Sequence, residues 1–267
     1  MEIAFHIFMT LIGACMGSFL CCQSRRLHYN TTHKTKLKSP HSLCLNCKKN
    51  LKWYDNIPIL SWLVLEGKCR FCHRKIGIAE FLSEVGTAIA FLLLSFSVSY
   101  NTQNLLEWSI FVTTVIFATV LIFLAIYDGI YGELPTFFLL LSILIAIILL
   151  SLKTWLCLTK APFTPDLIIN PALSVLILGG LYLILYLISK GRWVGDGDWI
   201  LATAIATVLA HPFLAVFALF LANFSACLIA IPFLKKGTKA KIHFGPFLVI
   251  AFIVIESFST FFIKLML

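Results

Sequence analysis

An all-α membrane protein of about eight transmembrane helices, with a polar insertion after the first, is the fold class this sequence predicts. Three observations predict it. Of 267 residues 60% are hydrophobic and only 12% charged, against about a quarter charged in ordinary soluble domains. The apolar residues fall in long runs, and runs of about 18 or more suffice for a helix to cross the hydrocarbon. The basic residues gather in the loops of one side.

Taken in order, the first span covers about 3–22 and is followed by Arg25 and Arg26. Without a basic leader it reads as a retained helix rather than a removable signal. Residues 23–77 form the polar insertion, and the remaining spans fall near 78–98, 108–127, 134–152, 171–189, 198–210, 213–234 and 245–266. The sixth is short, and His211-Pro212 marks its end. The stretch 153–170, with Pro162 and Pro165, reads as a surface loop ending at Pro171. Three domains follow: 1–22, 23–77 and 78–267.

In an eight-span arrangement, 18 of the 21 lysines and arginines share one side: Arg25, Arg26, Lys34, Lys36, Lys38 and seven more in the insertion, Lys190 and Arg192, then Lys235, Lys236, Lys239 and Lys241. Only Lys153, Lys160 and Lys264 oppose them. The positive-inside rule then places the insertion in the cytoplasm and both termini outside, in a cell membrane. The net charge of +9 thus reads as topology, and direct nucleic-acid binding is not expected.

The insertion holds Cys44-Leu-Asn-Cys47 and Cys69-Arg-Phe-Cys72, two Cys-x-x-Cys pairs separated by 21 residues. That spacing suits a zinc ribbon, with four thiolates closing a tetrahedral structural site. Lys48, Lys49, Lys68, Arg70 and Lys75 favour the thiolate form. Two disulfides are the alternative, and a reducing cytoplasm disfavours them. His73 reads as a neighbour rather than a ligand. Cys15, Cys21, Cys22, Cys157 and Cys227 sit in or near apolar spans and read as small hydrophobic residues.

Asp128 ends the third span, and Asp198 closes Gly195-Asp-Gly-Asp198 at the start of the sixth. The topology brings both to one face at one depth. Ionisable residues at membrane depth are costly and therefore functional candidates. Two adjacent carboxylates share a proton, leaving one as general base and one as general acid, the requirement for attack of water on a peptide carbonyl. Gly195 and Gly197 permit close approach of a substrate strand. The same placement also suits plain helix capping, and Asp196 is an alternative carboxylate to Asp198. Glu133 reads as interfacial and solvated.

These residues resemble the type IV prepilin leader peptidases along nearly the whole chain. Gly17-Ser18-Phe19-Leu20 with Arg26-Leu27 is similar to the family's first-helix motif, and Asn56-Ile57-Pro58 to its Asn-Ile-Pro segment. Asp128 stands seven residues before Pro135, and Gly195-Asp-Gly-Asp198 matches the family's Gly-x-Gly-Asp. The resemblance implies that Asp128 and Asp198 are the catalytic pair, with Asp196 at the variable position. It implies removal of basic leaders from prepilin or pseudopilin precursors on the cytoplasmic side, after a glycine. It further implies methylation of the new amino terminus with S-adenosylmethionine, dependent on the 23–77 region, whose cofactor-binding residues no motif identifies. Departures include Leu45 after the first cysteine, Cys21 where asparagine is usual, Ala79-Glu80-Phe81 in place of Arg-Tyr-Pro, and Ile200 in place of lysine; Glu84 keeps the family's glutamate. The pattern is most similar to competence-type members of Gram-positive bacteria. Rival readings are a transporter relaying ions or protons through the two aspartates, though such sites usually lie at the bilayer midplane, and a zinc-stabilised assembly platform without chemistry.

Overall fold

A computed structural model describes residues 2–33, 43–44, 46–98, 104–235 and 243–264. Lys34, Lys36, Lys38, Lys236, Lys239 and Lys241 of the loop-charge pattern lie outside the described residues, as do the last residues of the eighth span. Its helices are α1 (Glu2–His33), α2 (Leu60–Val64), α3 (Ile78–Leu94), α4 (Leu105–Tyr131), α5 (Thr136–Lys160), α6 (Asp166–Val175), α7 (Leu181–Ser189), α8 (Asp196–Leu209), α9 (Pro212–Lys235), α10 (Gly245–Ser257) and α11 (Ser259–Lys264). A π-turn at Leu176–Gly180 joins α6 to α7. Among the described residues there is no strand, only the isolated bridges Leu43–Asn50 and Lys68–Lys75.

The protein is all-α and multi-pass. Among the described residues six helical stretches are long and apolar enough to cross a membrane: 2–32, 78–97, 105–131, 136–160, 166–189 and 212–231. The other two expected spans are the shorter α8 and α10. At 1.5 Å per residue, the 14 residues of α8 reach only about 21 Å, less than the roughly 30 Å of hydrocarbon. Two boundaries move. The first helix runs to His33, because basic residues end a span without ending a helix. The expected loop at 153–170 shrinks to 161–165 between α5 and α6. Nothing breaks the helix before Ala161-Pro162, and Pro171 is carried inside α6.

Contacts divide the chain into Met1–Ser95 and Phe96–Leu267, so α3 belongs with α1 and the insertion. In this first unit α1 and α3 pack closely. The small-residue step Gly13-x-x-x-Gly17 permits it: a Cβ on Gly13 would come within 2.7 Å of Thr87 O, and one on Gly17 within 2.5 Å of Ser83 O and 2.7 Å of Glu84 Cα. Such pairs let membrane helices meet backbone to backbone. Gly17→Leu should therefore destabilise the unit by about 1–3 kcal/mol, read as a lower melting temperature in detergent; an unchanged value would contradict this packing.

In the second unit α8 is the central element. Leu201, Ala202, Ala204, Ile205, Ala206 and Val208 are fully buried, enclosed by α5, α6, α7, α9 and α10. The alanines leave room for close neighbours, and Gly179 of the π-turn has no space for a Cβ against Thr203. Large apolar side chains such as Leu140, Leu144 and Ile147 of α5 and Phe220, Phe224 and Leu228 of α9 point outward, where lipid would cover them. At the C-terminal end of α8, Lys153 donates to the Val208 carbonyl (3.0 Å) and pairs with buried Glu256 (2.7 Å). The pair anchors the end of α8 remote from Asp198.

Candidate functional site

The long helix α4 ends where Gly132 adopts a left-handed conformation (φ 71°) and its N–H bonds the Asp128 carbonyl at 2.7 Å. Asp128 thus lies in the last turn of α4, 5% exposed. Pro135 then caps α5. At the facing end of α8, Gly195 is the cap, and Asp198, three residues on, accepts its N–H at 2.9 Å. With no side chain on Gly195, only this half of a capping box exists. Asp198 is 8% exposed, whereas Asp196 and Glu133 are exposed.

The two helix ends meet through glycine. A Cβ on Gly197 would come within 2.7 Å of Leu134, in the turn that follows Asp128. The start of α10 closes the third side: Gly245 N–H donates to Asp128 Oδ2 (3.0 Å), and a Cβ on Gly245 would lie 2.8 Å from that oxygen. Asp128 acts electrostatically on Asp198, as do Asp196 and His243. His243 packs over Gly132, where a Cβ would meet its Nε2 at 2.6 Å. Tyr182, whose hydroxyl receives the Asn223 amide at 3.3 Å, also feels the charge of Asp198. Asp128, Asp198, Gly195, Gly197 and Pro135 are therefore gathered at one locus in this unit. The cap bond of Asp198 is real, but capping alone does not account for two buried carboxylates each held by a glycine N–H. Sequence reasoning missed His243, Gly245 and Tyr182. Their spacing carries no pattern, and they reach the locus only through tertiary packing.

In the first unit the Sγ atoms of Cys44, Cys47, Cys69 and Cys72 all lie within 4.8 Å of one another, with Cys44 and Cys72 at 3.9 Å. No disulfide joins them. Metal–sulfur bonds of about 2.3 Å in a tetrahedron separate sulfurs by roughly 3.8 Å, so the cluster could hold one ion. Two matching knuckles build it. Lys48 N–H bonds the Cys44 carbonyl and His73 N–H the Cys69 carbonyl, with Lys48 and His73 both at positive φ (55° and 54°). His73 is thus a turn residue outside the ligand set. Asn46 Nδ2 donates to Cys72 Sγ (3.5 Å) and, with an Arg74 backbone donor, pushes that thiol down to about 6. The knuckles lean on Asp55, whose carboxylate takes Arg70 at 2.8 Å.

Glu84 has a further task. It accepts the N–H of Ile59 at 2.7 Å, and Ile59 is the centre of a γ-turn with φ 64° closed by Leu60 N–H on Pro58 O. That backbone is strained for a β-branched residue, so the carboxylate of α3 holds it in place.

Comparison with known proteins agrees with these features. Residues 11–98 match the family described as Bacterial Peptidase A24 N-terminal domain. The prepilin leader peptidase/N-methyltransferase of Vibrio cholerae is 33% identical over 106 residues, 37% of this chain and 39% of the relative. That of Myxococcus xanthus is 37% identical over 33% of this chain and 25% of the relative. These two matches thus span well under half of each relative. A protein of the same name from Pseudomonas putida is 24% identical over 94% of this chain and 90% of its own length. No solved structure matches. The resemblance to prepilin leader peptidases read from the motifs is thereby shown, along most of the chain.

Proposed function

From this kinship with prepilin leader peptidase/N-methyltransferases, we propose that the chain is a membrane aspartic endopeptidase of the Gly-x-Gly-Asp type. It removes leaders from prepilin or pseudopilin precursors at the cytoplasmic face and methylates the new amino terminus. The observation that carries the reading is the convergence of buried Asp128 and Asp198 from facing helix ends.

The chemistry follows from that pair. Two adjacent carboxylates retain one proton between them. The ionised member takes a proton from a water as its oxygen attacks the scissile carbonyl carbon, and the protonated member gives its proton to the carbonyl oxygen. The C–N bond then breaks, and the proton taken from water passes to the leaving amine. Gly195 and Gly245 fix one oxygen of each carboxylate, so both are oriented before substrate arrives. Gly245→Ala should displace Asp128 and lower cleavage about 10²-fold, since such losses follow displacement of about an ångström; unchanged cleavage would contradict this role.

The basic insertion, Lys190 and Arg192 and the lysines that follow in sequence after α9 support a cytoplasmic placement of the site. Zinc suits the four soft thiolates, and with all four positions taken by cysteine its role is structural. S-adenosylmethionine would supply the methyl group.

The test uses the full chain in lipid vesicles with a prepilin-like precursor. Leader loss, and a mature amino terminus one methyl group heavier when S-adenosylmethionine is added, is the expected result. An intact precursor together with ion-dependent uptake would overturn it in favour of a transporter.

A further inference from the structure

Charge is spread unevenly along the insertion. Residues 57–65 hold no charged side chain, and Ser61 is the one polar residue among them. Lys48, Lys49 and Lys52 precede this stretch, and Lys68, Arg70 and Arg74 follow it. The fold gives the stretch two faces. Trp62 turns onto Phe81 of α3, 4.8 Å between ring centroids. Leu60, Leu63 and Val64, at the i, i+3, i+4 spacing of one helix face, are 60%, 52% and 77% exposed. Trp53, next to Lys52, is exposed as well. Exposed apolar side chains gathered in this way mark an interaction surface.

The third helix fixes the depth of that surface. The apolar stretch that α3 opens, 78–97, has 20 residues. At 1.5 Å each they measure about 30 Å, the thickness of the hydrocarbon. The hydrocarbon boundary therefore falls near Ile78, which is exposed, as is Leu82 one turn on. The α2 region is fastened inside that boundary. Trp62 meets Phe81, and Ile59 N–H reaches the Glu84 carboxylate at 2.7 Å. Glu84 stands about 9 Å along the axis from Ile78, at 1.5 Å per residue. The backbone is prepared for lipid too. Glu84 takes the N–H of Ile59, Pro58 O that of Leu60, Ile57 O that of Ser61, Ile59 O that of Leu63 and Ser61 O that of Leu65. Hydrocarbon demands that backbone groups be satisfied internally, whereas water does not.

We propose that residues 57–65 are a lipid anchor of the insertion. Leu60, Leu63 and Val64 enter the bilayer that α1 and α3 cross. Trp53 and the flanking lysines and arginines lie at headgroup level, where indole rings concentrate and where basic side chains attract anionic lipid. The two cysteine knuckles flank the anchor in sequence and are thereby seated on the headgroup layer. Lipid is favoured over a peptide partner because the surface is tied to a membrane span at hydrocarbon depth and its basic rim matches anionic headgroups. The inference rests on the fold alone and is independent of the peptidase reading.

The test uses the full chain in vesicles of phosphatidylethanolamine and anionic phosphatidylglycerol. A photoreactive benzophenone amino acid replaces Leu63, Val64, outward-facing Leu140 of α5 or exposed Lys75 in turn, and retained zinc content shows that the insertion has folded. After irradiation, peptides bearing position 63 or 64 should gain the mass of one phospholipid, as those bearing position 140 should, and those bearing position 75 should not. Lipid adducts at 140 with none at 63 or 64 would overturn the anchor. So would adducts at 63 and 64 to a second copy of the chain, or to an added prepilin-like precursor, in place of lipid; the surface would then be a protein-docking site.

Discussion

Asp128→Asn and Asp198→Asn should each lower precursor cleavage by at least about 10³-fold, with the protein still accumulating in the membrane. The size follows from general acid–base catalysis, where loss of one participant costs about 10²–10⁴-fold. Asparagine keeps the size of the carboxylate and can still accept the glycine N–H at 3.0 or 2.9 Å, so the fold is spared while the proton is lost. The double variant should be no worse than either single one, because residues acting as a unit lose their joint effect with the first substitution. Multiplied losses in the double variant would mean two independent contributions. Asp196→Asn, exposed at the surface, should cleave like the wild type.

The second large effect concerns the four cysteines. Among its described residues the insertion beyond α1 has no α-helix longer than the five residues of α2, and it is tied by two knuckles, the Asp55–Arg70 pair and the Ile59–Glu84 bond. A bound ion then supplies much of its folding energy, about 10–16 kcal/mol for comparable sites. Cys72→Ser, or prolonged exposure to a strong chelator, should remove about one zinc per chain and open residues 43–77 to proteolysis. The second unit, whose core is built around the buried face of its own α8, should keep its helical content. Metal content equal to wild type in Cys72→Ser would exclude a four-thiolate site.

How far the sequence could be read depended on whether a feature is local. Runs of apolar residues located all eight helical segments, because length and hydropathy are local properties. Their ends were less legible: α1 passes Arg25 and Arg26 to reach His33, since a charge marks where lipid stops and not where hydrogen bonding stops. The paired cysteines were legible because a knuckle is made by six consecutive residues. The choice between Asp196 and Asp198 needed the family pattern, and the structure separates them by burial. His243 and Gly245 were invisible for the opposite reason. They follow a lysine-rich stretch, and only the approach of the start of α10 to the end of α4 brings Gly245 to Asp128 and His243 over Gly132. The strained turn at Ile59 gives no sign in a stretch that reads Pro-Ile-Leu.

The most direct measurement is the intact mass of a prepilin-like precursor co-expressed with the wild-type chain or with its Asp128→Ala/Asp198→Ala variant. Loss of the leader mass with the wild type, and a full-length precursor with a variant present at equal level in the membrane, is the expected result. The same precursor mass in both, whether cut or uncut, would contradict a catalytic role for the two aspartates.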